Sequence, residues 1–249
     1  MKIYKYRDIS QADETTLERL YQSILHKKFW CASLRTLNDK DEFKFRCDCT
    51  PTESTKPLLV QLLMKHGNTA DERALSVAAL QIDNNRLNGN AIPIINDMIE
   101  KCLSDFGLAC FSSAKDDASL WKEYGGDGNG LCIEIDVPDD NKNLYMVNYV
   151  QEKVIHIDSL FKADLFEGEA FAVYRDMLLT KTTKYQPEKE VRFVSKKERN
   201  VAMTIEGSVV TEIMFGNKIE SSMLNKVRAD IKRHHSARSI LLTQSERCS

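Results

Sequence analysis

The sequence predicts an α+β fold built on a mixed, mostly antiparallel sheet with surrounding helices. Three observations carry that prediction. Short apolar or alternating runs recur along the 249 residues and often follow one another through turns, where a doubly wound protein would interleave a helix each time. Helical periodicity dominates residues 50–105, which read as a helical insert within a single domain spanning 1–249. The composition is that of a packed chain: 42% hydrophobic, 29% charged, with 35 Lys and Arg against 37 Asp and Glu for a net charge of −2. Ordinary apolar content with a small net charge excludes disorder. Near-neutrality excludes a general polyanion binder and leaves room only for local basic patches.

Residues 2–7 alternate Ile3 and Lys5 against Tyr4 and Tyr6, the pattern of a strand with aromatics on one side. Asp13 precedes a helix over 14–26, whose Leu17, Leu20, Tyr21, Ile24 and Leu25 keep helical spacing. Residues 29–33 (FWCAS) form a second strand running into the turn-rich Leu37-Asn38-Asp39. Three amphipathic runs follow at 58–64, 74–80 and 92–103. Residues 107–113 (GLACFSS) read as a buried strand, 118–124 as a short helix and GGDGNG at 125–130 as a turn. The alternating 131–136 is a strand, with 144–150 its expected hairpin partner. Residues 157–179 read as one long helical stretch. Strands follow at 190–195 and 208–215, then a basic-edged helix at 222–233 and a last strand at 238–243.

The opening MKIYKYRDIS lacks the apolar core of a secretory signal, and no run approaches the ~18 apolar residues of a spanning helix. No membrane association is expected. Of the seven cysteines, Cys31, Cys102, Cys110 and Cys132 sit among apolar neighbours, which fits a reduced, cytoplasmic protein. Cys47 and Cys49 are too close in sequence for the usual zinc spacing and lack a second ligand pair, so no metal site is expected. P-loop, dinucleotide, nucleophile-elbow, zincin and kinase motifs are absent.

A few residues stand out. Arg7 ends the first strand, where a guanidinium offers a planar fork to phosphate or carboxylate; it reads equally as a solvated edge residue. Ser112 and Ser113 leave a buried strand, suited to holding a ligand hydroxyl or to plain turn chemistry. Glu188, Glu190 and Arg192 alternate onto one face of a strand, either as an ion-pair ladder or as a carboxylate placed to stabilise developing positive charge. Trp121 and Tyr124 share a face of a short helix, as core anchors or as walls of a nucleotide pocket. Asn38, Asp39 and Glu42 form a helix cap and turn, or a polar corner of the same pocket. Lys226, Arg228, Lys232, Arg233, His234, His235 and Arg238 make a basic C-terminal stretch. That stretch complements a helix dipole or faces a nucleic acid.

Arg7, then Ser112, then Glu188-x-Glu190 resembles the Arg–Ser–Glu arrangement of ADP-ribosyltransferases. The resemblance implies NAD as substrate. Glu190 is then the catalytic carboxylate with Glu188 its partner, and Arg7 anchors the pyrophosphate. Ser112 and Ser113 brace the ribose, and Tyr6, Trp121, Tyr124, Asn38, Asp39, Glu42 and Arg192 shape the pocket. The full pattern of Tyr4-Lys5-Tyr6-Arg7, 29–33, Leu37-Asn38-Asp39 with Glu42, Phe111-Ser112, Trp121, Tyr124, Gly130, Glu188-x-Glu190-x-Arg192 and Ile213-x-Phe215-Gly216 is similar to a bacterial domain-of-unknown-function family. That family is linked to abortive infection and phage defence and loosely associated with the ADP-ribosyltransferase-like fold. Lys40 and Asp41 stand where it usually has Pro-Phe, and Ala114 stands where a third Ser or Thr is expected. The implied function is an NAD-dependent ADP-ribosyltransferase-like toxin or defence effector acting on a nucleic-acid or protein acceptor, with a possible neutralising partner protein. The alternatives are a non-catalytic nucleotide- or partner-binding module of the same fold, and an NAD glycohydrolase.

Overall fold

The structure is a computed structural model describing residues 1–37, 43–67, 71–83, 86–87, 99–100, 103–196, 198–234, 237 and 239–247. It is α+β, with a mixed, mostly antiparallel sheet. The chain divides into two compact units. The first comprises Met1–Ser33, Phe106–Val147 and Lys184–Ser249, and the second Leu34–Asp105 and Asn148–Thr183.

The first unit holds the large sheet. Its strands are β1 (Lys2–Asp8), β2 (Lys28–Ser33), β6 (Phe106–Ser112), β7 (Gly130–Asp136), β8 (Leu144–Met146), β12 (Glu190–Lys196), β13 (Val201–Thr204), β14 (Val209–Phe215) and β15 (Leu241–Gln244). The order β13-β2-β6-β1-β7-β14-β15 runs across it, with β12 along β6 and β8 beyond β12. Among the described strands of this sheet, only β14 and β15 pair in parallel.

The alternation in β1 separates two cores. Ile3 joins Phe111, Ile133, Ile135, Val191, Phe193, Ile213 and Phe215 on one face. Against it pack Leu17, Leu20 and Ile24 of α1 (Glu14–His26) and Val227 and Ile231 of the helix Ser221–Arg233. Tyr4 and Tyr6 turn the other way, onto Cys132, Met214, Ala114, Leu120 and Trp121. Each such burial stabilises the fold by about 1.5–3 kcal/mol relative to exposure. Asp13 caps α1, its carboxylate accepting from the Thr16 amide at 2.8 Å. The helix stops at Lys27, which takes a left-handed φ of 54° and donates its amide to the Gln22 carbonyl.

One irregularity in this sheet matters for function. β12 pairs with β6 over its whole length, from Glu190 opposite Ser112 to Lys196 opposite Phe106. The remaining edge of β6 is shared. Tyr4 of β1 pairs with Ser112 at one end, and Ala32 and Ser33 of β2 pair with Leu108 and Gly107 at the other. Among the described residues, 109–111 have no strand partner on that edge, so β1 and β2 diverge and the sheet forks. Lys5 partly fills the gap. Its ammonium donates to the Cys110 carbonyl at 2.5 Å and lies 5.4 Å from the centre of the Phe111 ring.

In the second unit, α2 (Thr55–Gly67) and α3 (Asp71–Gln81) share their space with α5 (Ile157–Leu165) and α6 (Glu167–Leu178). Two parallel pairs lie there: β3 (Arg46–Asp48) with β10 (Val154–His156), and β9 (Asn148–Val150) with β11 (Thr180–Thr182). The two-residue strands β4 (Ile82–Asp83) and β5 (Arg86–Leu87) pair antiparallel. The residues set aside as a helical insert, 50–105, thus share a unit with 148–183. Thr52 and Thr55 both donate to the buried Asp158 carboxylate, at 2.5 and 2.6 Å, tying the entry of α2 to the first turn of α5. Most of the run at 92–103 lies outside the described residues.

Two expectations need correction. Residues 144–150 do not form a hairpin with β7, whose neighbours are β1 and β14. They break at the buried Val147 into β8, which extends the large sheet at β12, and β9, which pairs in the second unit. The stretch 157–179 is two helices, because Phe166 takes an extended conformation (φ −122°, ψ 105°) that ends α5 and precedes α6.

Candidate functional site

The Glu-x-Glu segment forms one cluster, at the junction of β6 and β12. Ser112 and Glu190 stand directly opposite across the two strands, so their side chains share the face that carries Tyr4. Ser112 is spent on the backbone. Its hydroxyl donates to the Glu188 carbonyl at 2.7 Å and accepts from the Ala114 amide at 3.0 Å. Ser113, which is exposed, donates both its amide and its hydroxyl to the Lys189 carbonyl, at 2.9 and 3.1 Å. The two serines therefore clamp the turn in front of Glu190, where Lys189 adopts a left-handed φ of 44°. That kink corrects one expectation. Glu188 belongs to the 3-10 turn Thr183–Glu188 and not to the strand, so only Glu190 and Arg192 alternate along β12.

Glu190 and Arg192 are buried together, at 4% and 0% exposure. They form a bidentate pair, with Nε on Oε1 at 2.9 Å and an Nη on Oε2 at 3.0 Å. Two-pronged geometry of this kind is what makes a buried ion pair tolerable, since the solvation lost by each charge is offset by its partner. Glu188 is more accessible, and its carboxylate accepts from the Tyr124 hydroxyl at 2.7 Å. The neighbouring Cys110 thiol has its pKa raised by burial and then by the Glu190 carboxylate.

Tyr6 and Trp121 belong to the core. They meet edge to face, 5.2 Å between centroids at 88°. Trp121 is 1% exposed and donates its indole N–H to Asp116 at 2.8 Å. The Tyr6 hydroxyl donates to the Ala114 carbonyl and accepts from the Asp117 amide, both at 3.1 Å. Neither ring presents a face for stacking a ligand, which corrects that part of the expected pocket. Helical spacing put Trp121 and Tyr124 together, yet in the short helix α4 (Ala118–Tyr124) only Leu120 and Trp121 are buried, and Tyr124 at its end is exposed. Asn38, Asp39 and Glu42 lie outside the described residues.

Arg7 stands elsewhere. By alternation it shares the side of Lys5 and Ile3, opposite to Ser112 and Glu190, and it enters a cavity of about 200 Å³ in the fork. The cavity is lined by Thr15, Glu18, Arg19 and Gln22 of α1, by Lys28 and Trp30 of β2 and by Ala202 of β13. Among the described residues, Arg7 makes no hydrogen bond or ion pair. Solvent reaches it, yet the surrounding protein lowers its pKa, first by burial and then through the Arg19 guanidinium. The strand end that presents it is held from behind by the turn over 126–128, where Gly126, Asp127 and Gly128 all take positive φ (60°, 51° and 89°). Gly130 closes that turn against the Arg7 carbonyl, where a Cβ would stand 2.0 Å from the oxygen.

Lys5 links the two places. Burial brings its ammonium down to about 8, and Arg7 pushes it the same way, whereas Cys110 and Glu190 oppose the fall. Arg7 and Glu190 are thus both within electrostatic reach of one ammonium at the floor of the fork, although they do not touch. Sequence reasoning missed Arg19 and Trp30 as cavity residues. Their one signal is a polar stripe, Thr15, Glu18, Arg19 and Gln22, at the spacing of one helix face.

On the Tyr4 face, a second charged group stays structural. The Lys115 ammonium bridges the buried Glu134 and Glu212 at 3.1 and 2.7 Å, and Thr211 and Thr243 donate to the same carboxylates at 2.8 and 2.6 Å. No helix among the described residues is long and apolar enough to cross a membrane, and no group of three or more His, Cys, Asp or Glu among them is arranged to hold a metal ion. No family model, no curated protein and no solved structure matches this chain.

Proposed function

We propose that the protein binds a phosphate-bearing nucleotide in the fork of its large sheet and acts on NAD as an ADP-ribosyltransferase-like toxin or defence effector that modifies a macromolecule. The observation that carries this reading is an Arg7 side chain with no hydrogen-bond or ion-pair partner among the described residues, lining a cavity of about 200 Å³ beside Arg19 and Trp30. An arginine without a counter-ion in a concave, crowded place suits a pyrophosphate. In the reaction, the bond between the nicotinamide nitrogen and ribose carbon breaks and its electron pair leaves with neutral nicotinamide. The ribose carries oxocarbenium-like charge, which a nearby carboxylate stabilises as in glycoside cleavage. A nucleophile of the acceptor then bonds to that carbon and releases a proton. Glu190, which stands across the sheet from Arg7, is assigned as that carboxylate on the resemblance alone, with Glu188 as its more accessible partner, and Ser112 and Ser113 fix the turn that precedes it.

A second reading, a non-catalytic nucleotide- or partner-binding module, is favoured by the pairing of Glu190 with Arg192, which occupies the carboxylate. Labelled NAD, offered with nucleic-acid and protein acceptors, separates the two. The enzyme reading expects nicotinamide release that Glu190→Gln lowers by about 100-fold or more, the size of a lost transition-state contact. Release without a labelled acceptor makes the protein a glycohydrolase. Tight nucleotide binding with no release leaves the binding module.

A further inference from the structure

We propose that Arg19, stacked on Trp30, is a second anion-binding group of the fork cavity and meets, together with Arg7, a pyrophosphate-bearing ligand. The identity of the natural ligand rests on the nucleotide reading above, whereas the anion site stands on the cavity itself. Arg19 projects from α1 on the stripe of Thr15, Glu18 and Gln22 that lines the cavity. Its guanidinium carbon sits 4.7 Å from the centre of the Trp30 ring. Stacking on an aromatic face holds the plane of a guanidinium while leaving its N–H groups at the edge free to donate. Among the described residues Arg19 makes no ion pair, although Glu18 lines the same cavity.

Arg7, Arg19 and Lys28 bring three cations to the cavity, against Glu18 on its lining and Asp13, whose carboxylate lies within electrostatic reach of Arg19. A fold stabilised by such a site would place a carboxylate between the two guanidiniums, as it does for Arg192. Three cations lining about 200 Å³ instead suit a compact polyanion, to which two guanidiniums offer two planar forks.

The test is titration calorimetry of the full chain with inorganic pyrophosphate, with inorganic phosphate as the shorter comparison. Pyrophosphate is expected to bind more tightly than phosphate. Arg19→Gln and Arg7→Gln should each weaken pyrophosphate by about 10-fold or more, the size of a lost charge-assisted contact. Trp30→Leu should weaken it by less, about 3-fold, because it removes only the support of Arg19. Arg233→Gln, on an exposed arginine of the helix Ser221–Arg233, should leave affinity unchanged. Absence of pyrophosphate binding, an unchanged affinity in Arg19→Gln, or an equal loss in Arg233→Gln overturns the proposal. Pyrophosphate binding that depends on Arg19, without nicotinamide release from NAD, keeps the anion site and removes the transferase reading. Nicotinamide release with no effect of Arg19→Gln on pyrophosphate does the reverse.

Discussion

Arginines on either side of β6 have opposite fates. On the β12 side, Arg192 is wholly buried and grips Glu190 with two parallel hydrogen bonds. In the fork, Arg7 and Arg19 line a cavity shared with Glu18 and form no ion pair among the described residues. The first arrangement closes its own electrostatics and serves the fold. The second leaves charge unbalanced and gains from an external anion. Pairing, more than residue type, separates the structural arginine from those available to a ligand.

The largest expected effect breaks the paired side. Arg192→Ala takes the bidentate partner from a carboxylate at 4% exposure and should cost about 3–5 kcal/mol in denaturant unfolding. Replacing both partners, Glu190→Met with Arg192→Leu, should recover most of that loss. Arg7→Gln, by contrast, should change stability by less than about 0.5 kcal/mol. Equal costs for the Arg192 and Arg7 variants would erase the distinction.

A smaller effect sharpens it on the Tyr4 face. Burial pushes the Glu134 carboxyl up, but hydrogen bonds from Lys2, Thr211 and Lys115 outweigh burial and hold it at about 2, against an ordinary 4.5. A carboxylate depressed by folding stabilises fully above its unfolded value. The contribution fades as pH falls from about 4.5 to 2. Glu134→Gln should lower stability by about 1–3 kcal/mol at neutral pH and by much less near pH 2, as urea titrations at both pH values would show. A constant difference between the two would mean that the ion pairs to Glu134 are not formed.

An effect of similar size concerns Lys5. Its amine titrates at about 8 in the fold and at 10.5 when free. Between those values the unfolded chain holds the extra proton, so stability should rise with pH across that window. Reductive methylation and carbon NMR should find one dimethyl-lysine signal moving near pH 8 that Lys5→Met removes. A signal that titrates only near 10.5 would place Lys5 outside the crowded floor of the fork.

The sequence made most strands of the large sheet legible because their alternation is strong, but it left β13 (Val201–Thr204) unassigned. Ile3 against Tyr4 in β1 and Val191 against Arg192 in β12 each sort cleanly onto two faces. Strand order was not legible, since nothing local says that residue 4 will sit opposite residue 112. Glu190 was legible as a residue of interest. Its lock on Arg192 was foreseen only as one of two readings, because spacing puts side chains on one face without saying whether water reaches it. Trp121 looked like a pocket wall on helical spacing alone, and burial decided otherwise. The fork cavity left almost no trace. Arg19 and Gln22 look like any solvated helix face until β2 swings away from β1 and brings Trp30 beside them.

The position of β1 also has a kinetic consequence. This strand is central, yet its partners arrive late in the chain: Lys2 and Glu134, joined by an ion pair, are 132 residues apart. Closing so large a loop must precede the hydrogen bonds that reward it, which slows folding when the key contacts are distant in sequence. During synthesis Tyr4 and Tyr6 emerge long before Cys132 and Met214 exist to cover them. The nascent protein therefore carries an unpaired, aromatic strand through nearly half of its translation, and β2, whose outer neighbour β13 is Val201–Thr204, waits longer still.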